Sequence, residues 1–345
     1  DLAVGAPGDS VGSSAGAGAV NVVYGSGGGL TATGNQLWTE DSPGVLEAAE
    51  GGDSFGSAVS AADLNGDGRA DLAVGVPGES IGTNSGAGAV EVLYGSAGGV
   101  TSTGSQLWSQ NSTDILDGAE AGDSFGAALA AGDLNGDGKQ DLAIGVPAEN
   151  IGTTRPGAGA VNAIYGSGAG LTATGNQLWT QNSTDIKDAA ESGDGFGAAL
   201  ASGDLNGDGD DDLAAGVPGE SVGTTANAGG VNVILGSGGG LTSTGNQLWT
   251  QNSAGVLDSA EAGDSFGAAL AAGDVDREGH ADMAIGVPGE SVGAAAGAGA
   301  LNMLYGSAGG LTSAANQLWS QDTPNVLGQA EADDQFGAAM GLVAG

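Results

Sequence analysis

Phenylalanine followed by glycine occurs at Phe55, Phe125, Phe196, Phe266 and Phe336, a spacing of 70, 71, 70 and 70 residues. The triplet Gln-Leu-Trp keeps the same rhythm, with its tryptophan at Trp38, Trp108, Trp179, Trp249 and Trp319. A period held along a 345-residue chain restricts the fold severely. Each copy must form one supersecondary unit that buries its apolar face against its neighbours. The single extra residue falls in the third copy, in the insertion TTRPGAG around Pro156. Residues 1–345 therefore read as one domain written five times.

Each copy holds four strand-like segments, shown here for the second. FGSAVSAAD (Phe55–Asp63) alternates small and apolar residues, and DLAVGVP (Asp71–Pro77) is a short apolar run. GAVEVLYGS (Gly88–Ser96) places Val90, Val92 and Tyr94 on one face, and SQLWSQN (Ser105–Asn111) is the most polar. Short runs of this kind bounded by Gly, Pro, Asn and Ser read as strands. A capped 3.6-residue period is nowhere sustained, so few helices are expected. Four antiparallel strands repeated around a ring describe a β-propeller blade. Solenoid repeats are usually shorter, about 20–45 residues. The expected fold is all-β, a five-bladed β-propeller. The chain opens on a second strand, DLAVGAP, and ends on a first strand, FGAAMGLVAG. The C-terminal strand is thus expected to close the ring by completing the N-terminal blade, which removes exposed sheet edges. The blades are 336–345 plus 1–40, 55–111, 125–182, 196–252 and 266–322.

Composition narrows the partners. The chain has 72 Gly but no triplet period, which excludes collagen. Hydrophobic residues at 40% in regular short runs argue against disorder. With 5 Lys+Arg against 42 Asp+Glu the formal net charge is -37, which disfavours nucleic acid and anionic membranes and favours cations. No apolar stretch approaches the roughly 20 residues of a membrane helix. Cysteine is absent, so disulfides do not hold the chain together.

The cations have an evident place. Between the first and second strands lie DLNGDGRAD (63–71), DLNGDGKQD (133–141), DLNGDGDDD (204–212) and DVDREGHAD (274–282). Side-chain oxygens at positions 1, 3, 5 and 9 and the carbonyl of position 7 can converge on one ion, with Gly at position 6 permitting the reversal. Such a set of hard oxygens suits Ca²⁺ better than the tighter octahedron of Mg²⁺. The expected ligands are Asp63, Asn65, Asp67, Arg69 (carbonyl) and Asp71; Asp133, Asn135, Asp137, Lys139 (carbonyl) and Asp141; and Asp204, Asn206, Asp208, Asp210 (carbonyl) and Asp212. The fourth set is Asp274, Asp276, Glu278, His280 (carbonyl) and Asp282, with the longer Glu278 expected to distort or weaken its site. About four structural Ca²⁺ ions follow. An EF-hand needs Glu at position 12, where this chain has Val74, Ile144, Ala215 and Ile285, and helical flanks in place of strands. Asn-Gly and Asp-Gly turns also occur without metal. Four turns crowded with acids would repel strongly without a cation. At the fifth junction Ala344 replaces the leading Asp, so no fifth site is expected.

Phe55-Gly56, the acidic turn and Gly75-Val76-Pro77 together resemble the FG-GAP repeat of integrin α-subunit propellers. Gly5-Ala6-Pro7 spells the motif literally. The resemblance implies a propeller with its calcium turns on one face and a protein or glycan ligand on the opposite face, met by segments such as 77–88 and 111–123. Integrin propellers have seven blades and this chain five copies, so no integrin partner is carried over. The Gly/Ala-rich, near-identical copies resemble a secreted or surface-held bacterial member of the group.

Catalytic groups are not evident. His280 reads as a solvent-facing turn residue. The pairs Glu50/Asp53, Glu120/Asp123, Glu191/Asp194, Glu261/Asp264 and Glu331/Asp334 read as turn contacts before the Phe-Gly strand. The chain is therefore expected not to be an enzyme. The tryptophans read as packing, with shallow sugar-binding sites as the other possibility. Tyr24, Tyr94, Tyr165 and Tyr305 give way to Leu235 in the fourth copy, which marks that position as core. The leading function is a calcium-stabilised extracellular binding or adhesion module. A multivalent lectin and a self-assembling subunit of a surface layer or filament are the alternatives.

Overall fold

The computed structural model describes residues 1–341, and these contain nineteen strands and no helix. β1 (Leu2–Ala6), β2 (Ala19–Ser26) and β3 (Gly29–Trp38) form a three-stranded sheet. The second sheet is β4 (Val59–Ala62), β5 (Asp71–Val76), β6 (Ala89–Ser96) and β7 (Gly99–Trp108). The third is β8 (Ala128–Gly132), β9 (Asp141–Val146), β10 (Ala160–Ser167) and β11 (Gly170–Trp179). The fourth holds β12 (Leu200–Gly203), β13 (Asp212–Val217), β14 (Gly230–Leu235) and β15 (Thr242–Trp249). The fifth holds β16 (Leu270–Gly273), β17 (Asp282–Val287), β18 (Ala300–Tyr305) and β19 (Thr312–Trp319). Strands pair in chain order, so each sheet is a meander, with antiparallel registers such as Leu72↔Leu93 and Val90↔Trp108.

The described residues gather into two compact units. One comprises Asp1–Ala131, Lys139–Glu149 and Asn162–Leu178, and the other Gly132–Gly138, Asn150–Val161 and the residues from Trp179 onward. The strand expected over 336–345 falls partly on 342–345, which lie outside the described residues. The first sheet has no inner strand among the described residues, and β1 consequently leaves Leu2 46% and Val4 45% exposed. In the other sheets the equivalent strands β5, β9, β13 and β17 are buried along their whole length.

Two element boundaries differ from expectation for physical reasons. The Phe-Gly segment is not part of the first strand, because Phe55 pairs instead with Gly18 of the preceding sheet, its N–H reaching the Ala17 carbonyl at 2.8 Å. Phe125 pairs likewise with Gly88 in the first unit, and Phe266 with Gly229 in the second. The last strand begins earlier than expected, at Gly99. A two-residue turn joins it to β6, closed by the Ser96 hydroxyl donating to the Gly99 carbonyl at 2.6 Å.

The packing explains the recurring motifs. Phe55, Phe125, Phe196 and Phe266 are fully buried. A Cβ on Gly75 would stand 2.0 Å from the Gly126 carbonyl oxygen of the next sheet, so the glycine of one GVP accepts the close approach of the next Phe-Gly backbone. The same contact joins Gly216 to Gly267 in the second unit. At the outer strands, Gln106 of Gln-Leu-Trp reaches into the next sheet, donating to the Leu171 carbonyl (3.0 Å) and accepting the Leu171 N–H (3.0 Å). The Tyr94 hydroxyl donates to the same Gln106 oxygen at 2.6 Å. In the fourth sheet, where Leu235 replaces tyrosine, the Trp249 indole N–H donates to the Gln247 oxygen at 3.2 Å.

Candidate metal centres

The acidic turns are built by their own backbone. In the first, Asp63 accepts the N–H of Asp67 (3.0 Å) and of Gly68 (2.8 Å), while the Asn65 side-chain oxygen also accepts the Asp67 N–H (2.9 Å). Gly66 and Gly68 adopt φ of 72° and 85°, which makes the reversal tight. Asp71, the first residue of β5, is buried. It accepts the Leu64 N–H at 3.0 Å and the Gly95 N–H at 2.8 Å, so it ties the turn to the end of β6. Burial, the largest effect, pushes its carboxyl up to about 6 against those two N–H groups.

The pattern repeats. Asp133 accepts the N–H of Asp137 and Gly138, and Asp141 accepts that of Gly166 at 2.8 Å. Asp204 accepts the N–H of Gly207 (2.6 Å) and Gly209 (3.0 Å). Asp212 accepts those of Leu205 (3.0 Å) and Gly236 (2.9 Å) and is pushed up by burial to about 7. Asn206 turns its amide N–H₂ toward Asp208 at 3.0 Å. In the fourth turn Asp274 accepts from Glu278 and Gly279, and Asp282 from Val275 and Gly306.

Oxygens of Asp274, Asp276 and Asp282 lie within 4.8 Å of one another, a span that one Ca²⁺ with ligands at about 2.3–2.6 Å can bridge. Glu278 stands outside this trio and meets His280, their side chains 2.6 Å apart. The turn of 204–212 also contributes a carboxylate the motif did not single out. Asp211 accepts the Asp133 N–H at 2.8 Å, and the Asp211 N–H donates to the Asp133 carbonyl at 2.9 Å. In the same unit the Ala281 N–H donates to the Asp204 carbonyl at 2.7 Å, so these turns are laced side by side.

A second set of acids lies at the opposite end of the sheets. The turn contact expected of Glu50/Asp53 forms, with Asp53 accepting the Glu50 N–H at 2.5 Å. Asp53 also lies near Glu79, from the segment after β5, and Glu40, from the segment after β3. Glu79 and its counterparts were missed by sequence reasoning, although one signal was present. An acid follows the pre-Phe-Gly Asp by 26 residues in four copies, as Asp53/Glu79, Asp123/Glu149, Asp194/Glu220 and Asp264/Glu290.

The tryptophans are chiefly packing residues. Trp38 and Trp249 pack on core clusters, Trp179 is buried, and Trp319 is exposed at 36%. Among the described residues no helix is long and apolar enough to cross a membrane, which says nothing about β-barrels.

The profile of the FG-GAP repeat matches residues 55–93, 125–161, 196–234 and 266–301. Phosphatidylinositol-glycan-specific phospholipase D of Homo sapiens is 35% identical over 165 residues, 48% of this chain and 18% of that protein. Integrin alpha-3 of Cricetulus griseus is 40% identical over 114 residues, 31% of this chain and 10% of that protein. Integrin alpha-PS5 of Drosophila melanogaster is 33% identical over 183 residues, 51% of this chain and 16% of that protein. The chain thus spans less than a fifth of the length of these relatives.

Proposed function

We propose that this chain, four stretches of which match the FG-GAP repeat, is a calcium-stabilised binding module, secreted or held at a bacterial surface, that performs no chemistry of its own. The acidic turns hold Ca²⁺ through the residues named above, and the loops at the other end of the sheets, 77–88 and 111–123 among them, meet a protein or glycan. The observation that carries this reading is the fourth turn, where three aspartates from one nine-residue stretch converge within 4.8 Å. When bound, the ion supplies positive charge that lets such a turn stay compact. The chain's part is to present oxygens and, through Asp71, Asp212 and Asp282, to join each turn to the end of the third strand. Exposed turn sites of this kind suit the calcium levels met by extracellular modules, with Kd of about 10⁻⁴–10⁻³ M.

The activity named for the phospholipase relatives is not carried over, since the matched stretch is 18% of their length. His280 and Glu278 lie in an exposed turn, hydrogen-bonded to each other. The packed tryptophans weigh against the lectin alternative. Calorimetry tests the proposal: the melt should rise with millimolar Ca²⁺ and fall with chelator. A site filled to 100 times its Kd contributes about 2.7 kcal/mol. A melt indifferent to both additions refutes the calcium part.

A further inference from the structure

We infer that Glu40, Asp53 and Glu79 form a divalent-cation site of a second kind, separate from the acidic turns and at the opposite end of the sheets. The three residues come from three segments of the first unit: Glu40 just after β3, Asp53 just before Phe55, and Glu79 just after the GVP of β5. One oxygen of each lies within 4.8 Å of the others, close enough to share a Ca²⁺-sized ion. Three carboxylates from separate loops suit the flexible, oxygen-rich coordination of Ca²⁺ better than Mg²⁺, which keeps several waters and seldom sits in an all-protein cage.

What marks this cluster is its burial, with one oxygen each of Glu40 and Glu79 left without a donor. Glu40, Asp53 and Glu79 are 4%, 2% and 5% exposed. The Oε2 atoms of Glu40 and Glu79 are buried with no hydrogen-bond partner. Unpartnered carboxylate oxygens at this depth are costly, far more so than exposed ones.

The other copies differ in composition: there an exposed acid, Glu120, Glu191 or Glu261, joins the buried pair Asp123/Glu149, Asp194/Glu220 or Asp264/Glu290, so only the first cluster is built of three buried acids. Where the first copy has Glu40, the next three have Gln110, Gln181 and Gln251. Each glutamine donates its amide to the buried glutamate: Gln110 to Glu149 at 2.7 Å, Gln181 to Glu220 at 2.6 Å and Gln251 to Glu290 at 2.7 Å. Glu40 removes that donor and adds a third carboxylate. A cation supplies what the amide supplies elsewhere.

The same comparison provides the test. Glu40→Gln installs the residue that the other copies carry, so the full chain should fold, and it leaves every acidic turn untouched. Metal content by mass spectrometry after equilibration in Ca²⁺ and desalting should fall by one ion per chain relative to the wild type. Gln110→Glu should add one. A Sr²⁺ soak should place an anomalous peak among Glu40, Asp53 and Glu79 in the wild type and none in Glu40→Gln. Equal metal content in wild type and Glu40→Gln, with no such peak, overturns the inference and leaves a shared proton as the occupant. The one-ion difference does not depend on the turns, so empty turns would refute the proposed function while leaving this result intact.

Discussion

Glu91 offers a sharp test of how the repeats are built. It lies in β6 and is 1% exposed, and neither of its oxygens has a hydrogen bond of ordinary geometry, Ser105 and Leu46 standing only nearby. Burial pushes its carboxyl from 4.5 up to about 7, outweighing the pull of the Ser105 hydroxyl and the Leu46 N–H. The equivalent residue in the next three copies is asparagine. Asn162, Asn232 and Asn302 donate their amides to the carbonyls of Leu116, Lys187 and Leu257 at 3.0, 2.9 and 3.0 Å. Glu91→Asn should therefore place a donor toward the Leu46 carbonyl and remove a buried charge. The folded state holds the Glu91 proton more tightly than the unfolded state, so the native residue is harmless below about pH 4.5. It becomes a growing penalty as pH rises through about 7. A rise of that size corresponds to about 3 kcal/mol once both states are ionised. Glu91→Asn should thus stabilise by about 2–4 kcal/mol at pH 8, the upper end including about 1 kcal/mol for the new hydrogen bond. At pH 4.5 the gain should shrink to about that hydrogen bond alone. Urea midpoints of both proteins at the two pH values, in Ca²⁺ throughout, measure the difference. A gain that is the same at both pH values, or a loss at pH 8, refutes the account of Glu91 as a buried and uncompensated acid.

Other substitutions probe the remaining contacts. Gly75→Ala drives a methyl into the Gly126 carbonyl and should destabilise by about 3 kcal/mol or more, read as a lower urea midpoint; an unchanged midpoint would mean the sheets are not so closely apposed. Gln106→Ala removes both hydrogen bonds to Leu171 and leaves the Tyr94 hydroxyl without its acceptor. A loss of about 2–3 kcal/mol is expected, against about 1 kcal/mol for Tyr94→Phe. Asp282→Asn removes one carboxylate of the converging trio and should lower the calcium affinity of that turn at least tenfold by titration calorimetry. An unaltered isotherm would exclude Asp282 as a ligand.

Much of the fold was legible because a repeat exposes itself. The spacing of Phe-Gly and Gln-Leu-Trp gave the five copies, and alternation gave the strands. The Asp/Asn/Gly turns were visible because all their candidate ligands lie within nine consecutive residues. The strand limits were less legible. Phe55 resembles the start of a strand, yet its backbone partner belongs to the preceding sheet. The segment before β7 resembles a loop because Gly98 and Gly99 suit a tight turn as readily as a linker.

The sequence by itself determined the repeat, the all-β character and the acidic turns, since each is a pattern of near neighbours along the chain. Only the tertiary structure decided which distant groups meet. Gln106 was a polar residue of no assigned role until its amide was found on Leu171, and Glu79 was one acid among many until it met Asp53 and Glu40. The reason is physical: period and turn chemistry follow from local backbone geometry, whereas burial and convergence depend on how separate loops pack. A carboxylate's need for a proton, an amide or a cation is set by that packing.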